Sequence, residues 1–337
     1  MRNPDFSVSS RSMKSIALTL LFLLPLLSMQ AQSLKILSQQ KMKRWQVPPA
    51  NYSGITPLGG DLYAVCDDKA KNDGYYLFRI ATDSVKGRVK SVEIIQQPLT
   101  KPEQKSAHDA EGICYVPDTR TLFVSSEDDQ RIREYDMQGK ATGRELLIPK
   151  AYAKDCIRAN MGFEALCFDT LRHLFVTTSE APLLHDEATG IHRLQTFDLS
   201  LHPREQLLYK MDALELTGNS RQHIQGIAAI TATSDGSWLI LEREINIKSK
   251  YLGSKAVTKI YRVRPNIQQQ PMNKELVCRF TSRIAPLAKR FANYEGMCLG
   301  PKLQNGQQTL LLLSDSQAGA GNSLYRLQDY LRVVILP

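Results

Sequence analysis

The chain lacks the short signatures of several large enzyme classes. It has no G-x-S-x-G elbow to expose a nucleophilic serine. Neither H-E-x-x-H nor a Walker A loop occurs, which excludes zincin-type and P-loop chemistry. Lysine and arginine form no dense block with interleaved aromatics, and aromatics are only 7% of the residues, so the chain is not read as a nucleic-acid binder. Past residue 31 no apolar run approaches the roughly 20 residues that a membrane-spanning helix needs. Long segments of 3.6-residue periodicity are missing after residue 50, which rules out helices as the main framework.

What is present is an ordinary globular composition, 42% hydrophobic and 23% charged over 337 residues, enough for a large core. The N-terminus reads as an export signal. Lys14 precedes an apolar stretch from Ile16 to Leu27, and Ser28-Met29-Gln30-Ala31 ends it on a small residue. Translation starts at Met1 or at Met13, and the expected cleavage follows Ala31. Residues 1–31 are therefore assigned to a signal peptide and 32–337 to a single domain, expected to be a monomer in the periplasm or outside the cell. The formal charge of +9 becomes +7 without the signal, a balance that tolerates anionic ligands. Of the six cysteines, Cys114, Cys167 and Cys298 recur at one slot of a repeat, which reads as buried small hydrophobes rather than disulfide partners. Cys66, Cys156 and Cys278 stay undecided.

That repeat is the chain's main organising feature. One phrase occurs five times: Ser53-Gly54-Ile55, Glu111-Gly112-Ile113-Cys114, Glu164-Ala165-Leu166-Cys167, Gln225-Gly226-Ile227-Ala228 and Glu295-Gly296-Met297-Cys298. Self-similarity at this scale marks a repeat architecture. In the second copy, short alternating segments run Gly112 to Val116, Thr121 to Ser126, Arg131 to Tyr135 and Arg144 to Ile148, separated by turn residues. Four such antiparallel strands make one propeller blade. The other copies parse the same way. In the fourth, a long insertion from Glu242 to Thr258 separates the second and third strands. In the fifth, the last two strands are placed at Ser323 to Leu327 and Leu331 to Leu336. The expected fold is all-β, a propeller of five blades, or six if the N-terminal segment builds a degenerate blade. Leu34 to Leu37 is read as a strand closing the last blade onto the first.

In a propeller the innermost strand starts on the face where the second strand ends, so both points ring the channel mouth. The first set holds Glu111, Glu164 and Glu295, with Ser53 and Gln225 in the other two copies. The second set holds Asp67 with Asp68, Glu127 with Asp128, Glu180, Glu242 with Glu244, and Asp315. Carboxylates converging on one axis repel unless protonated or neutralised by a cation. Two readings are open: a hard metal ion, Ca²⁺ before Mg²⁺, held by Glu111, Glu164, Glu295, Glu127, Glu180, Glu242 and Asp315, or carboxylates that merely close the blades through ion pairs. Connectors on the same face carry Arg158, Arg221 and Arg290, and Arg243 follows Glu242, which leaves two readings: a rim that binds an anionic small molecule, or loops that carry solvated charge as a basic chain must. His108 and His223 lie beside strand starts and are the candidate acid–base groups. His173, His185, His192 and His202 are expected on turns.

The phrases Asp109-Ala110-Glu111-Gly112-Ile113, Gly162-Phe163-Glu164-Ala165-Leu166, Gln225-Gly226-Ile227, Leu241-Glu242-Arg243-Glu244 and Asn293-Tyr294-Glu295-Gly296-Met297 resemble the phytase-like, "esterase-like activity of phytase" domain of bacterial exported proteins. The likeness runs in blade order over about residues 50–330. It implies a β-propeller in the periplasm or outside the cell, with phosphoester or ester hydrolase activity. Ser53 and Gln225 stand where the family's ring of carboxylates would continue. A non-catalytic binding propeller of the cell envelope is the alternative.

Overall fold

The computed structural model describes Met1 and residues 33–70, 72–98, 109–286 and 288–337. The proposed signal peptide and His108 lie outside the described residues. Five antiparallel sheets form the five blades of a propeller, and the described residues contain no α-helix. No helix among them is long and apolar enough to cross a membrane.

Blade one is Tyr52–Gly59, Leu62–Asp67, Tyr76–Thr82 and Val89–Gln96. Blade two is Ala110–Val116, Thr121–Ser126, Arg131–Tyr135 and Ala141–Glu145, so its outer strand sits three residues earlier than the alternation predicts. Blade three is Phe163–Asp169, Leu174–Ser179, Ile191–Phe197 and Pro203–Lys210. Blade four is Gln222–Ala232, Trp238–Ile247, Lys255–Val263 and Lys274–Ala285, with Ala288–Lys289 at its edge. Its predicted insertion is not a loop. Residues Glu242 to Asn246 stay paired with Lys259 to Lys255, so the two strands simply continue upward as a long hairpin.

Blade five departs most from expectation. Behind Asn293–Leu299 and Thr309–Asp315 the third strand is Tyr330–Ile335, and the outer position is filled by Lys35–Ile36 from the other end of the chain. The expected strand at Ser323 to Leu327 is a turn instead. Asn322 Oδ1 accepts from the amides of Leu324 and Tyr325, and that local cap outcompetes pairing. The N-terminal segment thus closes the ring, as its position in the sequence suggests.

Most of the core is five wedges, one between each pair of neighbouring blades, and a sixth, smaller cluster gathers Ile245, Ala256, Ile284, Phe291 and Leu327. Because successive side chains on a strand point to opposite faces, one strand feeds two wedges. Leu311 and Leu313 pack towards blade one with Ile55, Tyr63 and Val65. Leu310 and Leu312 pack towards blade four with Leu239, Leu241 and Ile260. Cys114, Cys167 and Cys298 sit in three different wedges, and all six cysteines are free.

The glycine of the phrase is a steric requirement at these wedges. A Cβ on Gly112 would lie 2.8 Å from the Glu164 carbonyl oxygen of the next blade and 2.7 Å from Ser125 Oγ. A Cβ on Gly296 would lie 2.8 Å from the Ser53 carbonyl, across the ring closure. Gly112→Ala is therefore expected to lower stability by about 1–3 kcal/mol through overpacking. Urea unfolding checks this, and an unchanged midpoint would remove the steric explanation.

His192 is not on a turn but fully buried in the third strand of blade three. Burial pushes its imidazole down to about 4. The unfolded chain protonates this group near its ordinary value of about 6.5, whereas the native state refuses the proton until about pH 4. Its contribution is thus present above pH 6.5 and lost as pH falls to 4, by up to about 3 kcal/mol. In unfolding curves from pH 7 to 4, His192→Leu is expected to lose less stability than the parent chain; parallel curves would contradict it.

Candidate functional site

In four blades the first residue of the phrase sits at a break in strand register. The pairing slips between Tyr52 and Ile55, Ala110 and Ile113, Phe163 and Ala165, and Tyr294 and Gly296. Such β-bulges re-aim a side chain, and here they accompany the entry of Glu111, Glu164 and Glu295 into one well at the channel mouth. Glu127, Glu180 and Asp315 reach the same well from the ends of the second strands, and Asp68 joins them in place of Asp67. Seven carboxylates therefore line a cavity of about 160 Å³.

Blade four differs. Its first two strands pair without interruption from Gln222 to Ile227, so Gln225 stands opposite Glu244 and Gly226 opposite Arg243. Strand alternation then sends Arg243 into the channel and turns both its neighbours away. Glu242 accepts hydrogen bonds from Tyr209 Oη and Lys274 Nζ, each at 2.6 Å. Glu244 accepts from the amides of Glu215 and Leu216 and lies 2.7 Å from His223 Nε2. The expectations for Glu242 as a metal ligand and His223 as an acid–base group at the mouth are corrected accordingly: neither lines the well.

Arg243 is buried at the centre of the acids. Its Nη2 donates to Glu180 Oε1 at 2.6 Å and to Glu164 Oε1 at 2.9 Å, and its Nη1 donates to Glu295 and to Asn293 Oδ1. One guanidinium thus ties together blades three, four and five. Burial opposes its charge, but Glu180, Glu295 and Glu164 outweigh that, so it stays protonated. Pairing patterns alone did not point to this role. The signal that could have found it is the acid–Arg–acid order of Glu242, Arg243 and Glu244 on a strand with period two.

One cation does not balance the well. Burial, followed by the field of neighbouring carboxylates, holds Glu111 well above the usual carboxylate range. Burial does the same at Glu164, where Arg243 partly opposes it, and at Asp315, where Glu295 adds to it. Glu127 is pushed up to about 7 by burial, against a hydrogen bond from the Gly162 amide to Oε1 at 2.7 Å. Oxygen atoms of Glu127, Glu164 and Glu180 all lie within 4.8 Å of one another. An all-oxygen donor set of this spacing and excess charge fits a hard divalent cation.

The cationic rim is thinner than the sequence suggests. Arg221 and Lys69 line the well, and Lys69 is paired with Asp68 and Asp109. Arg158 is turned to Glu187 at 2.8 Å, and Arg290 lines a separate pocket. Apolar wall replaces the missing cations: Ile224 from the first strand of blade four, Ile245 and Ile247 from its long hairpin, and Tyr251, Phe291 and Leu327.

A sequence model of the family described as "Phytase-like: Esterase-like activity of phytase" matches residues 48–317. No curated protein matches the chain. Among solved structures, an endo-arabinase from Bacteroides thetaiotaomicron is 12% identical, covering 86% of this chain and 94% of that one, with a TM-score of 0.44. An α-L-arabinanase from Penicillium chrysogenum, complexed with arabinobiose, is 9% identical over 90% of this chain and 98% of that one, with a TM-score of 0.45. An α-L-arabinofuranosidase from Fusarium graminearum is also 9% identical, over 89% and 98%, with a TM-score of 0.45.

Proposed function

The chain belongs to the phytase-like family, and on that premise we propose that it is an exported, metal-assisted hydrolase of phosphoester or carboxylic ester bonds, acting in the acidic well. One observation carries the reading: seven carboxylates face a single buried guanidinium in a cavity of about 160 Å³. Buried like charges are costly unless a cation neutralises them. Glu127, Glu164 and Glu180 would hold Ca²⁺, and Arg243 fixes Glu164 and Glu180 in place. When bound, the ion supplies Lewis-acid polarisation of a phosphoryl or carbonyl oxygen. Arg221 faces the same space and would orient an anionic group. Glu111, whose carboxyl is raised well above the usual range by burial and the neighbouring carboxylates, is the candidate to give a proton to the leaving oxygen.

The walls narrow the substrate. The cavity is smaller than the roughly 300 Å³ at which drug-sized ligand pockets begin, so it admits the scissile end of a molecule rather than the whole. With Arg221 as the principal free cation and an isoleucine-lined wall, it suits an ester with one anionic group and an apolar substituent. A polyanion with many phosphates would meet the carboxylates unscreened.

The guanidinium itself supports a second reading, a binding module in which Arg243 neutralises the mouth and no reaction follows. Aryl phosphates and aryl carboxylic esters, each assayed with Ca²⁺ and with chelator, separate the two. Turnover that needs Ca²⁺ is expected. Retained metal with no turnover of any ester would leave the binding module.

A further inference from the structure

We infer that the pocket where the N-terminal segment meets blade four is a binding site for a phosphate-type anion. Its cavity of about 530 Å³ is larger than the acidic well and is lined by Lys41, Arg283, Arg290 and Arg332, with no carboxylate on its walls. Among the described residues none of these four cations forms an ion pair. On the same blade Arg279 pairs with Glu215 and Lys274 with Glu242. Four like charges around one hollow repel, and a folded surface free of other demands would spread them or interleave acids.

Arg332 shows that the arrangement is built rather than incidental. Its Nε donates to Tyr294 Oη at 3.0 Å, and its Nη2 donates to Gln39 Oε1 at 2.7 Å. Its guanidinium lies 4.4 Å from the centre of the Phe280 ring. Every one of these partners is neutral, so the guanidinium is held in place with its charge uncompensated. A fixed guanidinium flanked by two exposed ones and a lysine matches a phosphoryl group, whose oxygens take two-pronged Arg contacts and tolerate Lys as a point charge. The volume exceeds that of one phosphate and accommodates a second phosphoryl group or an organic substituent. Such a group can arrive on a soluble molecule or on a lipid headgroup.

The site lies apart from the acidic well, although Arg290 lines one and the adjoining Phe291 the other. Calorimetric titration with pyrophosphate is expected to show binding by the full chain. Arg283→Ala with Arg290→Ala, both exposed positions, should weaken it at least about 10-fold, as should Arg332→Gln. Glu111→Gln should leave it unchanged. Sedimentation with phosphatidylglycerol vesicles supplies the second arm. Vesicle capture that the double variant loses assigns the anion to a headgroup, and pyrophosphate binding without capture assigns it to a soluble phosphate. Binding of neither probe by the parent chain, or binding of both at parental strength by the correctly folded double variant, overturns the site.

Discussion

Arg243→Leu is expected to destabilise the metal-free protein by about 3–5 kcal/mol, because it strips a buried guanidinium from the acids it pairs with, Glu164, Glu180 and Glu295. The loss is not that of one hydrogen bond. Glu164 and Glu180 belong to blade three, Arg243 to blade four, and Glu295 and Asn293 to blade five, so one side chain anchors three blades at their inner edges. Arg243→Lys should recover only part of the loss, since an ammonium lacks the planar fork that reaches several acceptors at once. Urea unfolding in chelator is the measurement. An unchanged midpoint would mean that the carboxylates are neutral without the arginine, and the electrostatic account of the mouth would fail.

Glu127→Gln should move stability in opposite directions according to metal. In chelator at pH 8 the native protein carries a buried carboxylate whose ionisation is resisted up to about pH 7, whereas the unfolded chain ionises freely near 4.5. Replacing it with the neutral amide removes that penalty and stabilises the protein by about 1–3 kcal/mol. The amide oxygen can still accept from the Gly162 amide, so the loop geometry is kept. With Ca²⁺ at about 100 times its dissociation constant the parent chain gains roughly 2.7 kcal/mol, and the variant should gain almost none. Turnover that depends on Ca²⁺ should drop about 100-fold. Equal Ca²⁺-induced shifts in parent and variant would remove Glu127 from the metal site.

The features legible in the sequence were those imposed on blade after blade, although blade three carries Ala165 at the glycine slot. Gly54, Gly112, Gly226 and Gly296 all abut a neighbouring blade too closely for a side chain, so sterics wrote the same residue into the same slot. The thiols and leucines of the wedges repeat for a similar reason. Six of the seven acids expected to hold metal were brought to one well, because their positions follow from strand starts and ends. What could not be read was competition between distant partners. Nothing local says that Tyr330–Ile335 pairs with Lys35–Ile36 while Ser323 to Leu327 is left to turn. Glu242 and Glu244 needed a choice of which strand face meets the axis, and an unbroken pairing in blade four made that choice differently from the bulged blades. Arg158 and Arg290 sit on connectors, where side-chain direction depends on loop conformation rather than on a period.

The last blade sets a timetable on assembly. Lys35–Ile36 is among the first segments of the domain to be synthesised, yet the strand it completes, Tyr330–Ile335, is among the last. Four blades can collapse in order as they emerge, but the wedge between blades five and one stays incomplete until Leu331, Val333 and Ile335 arrive. Such widely separated pairing makes for slow completion and a long-lived sticky intermediate. A chain that lost Tyr330–Ile335 would leave Lys35–Ile36 and Gln40–Lys41 with no strand to pair with, and the ring would have no closing seam.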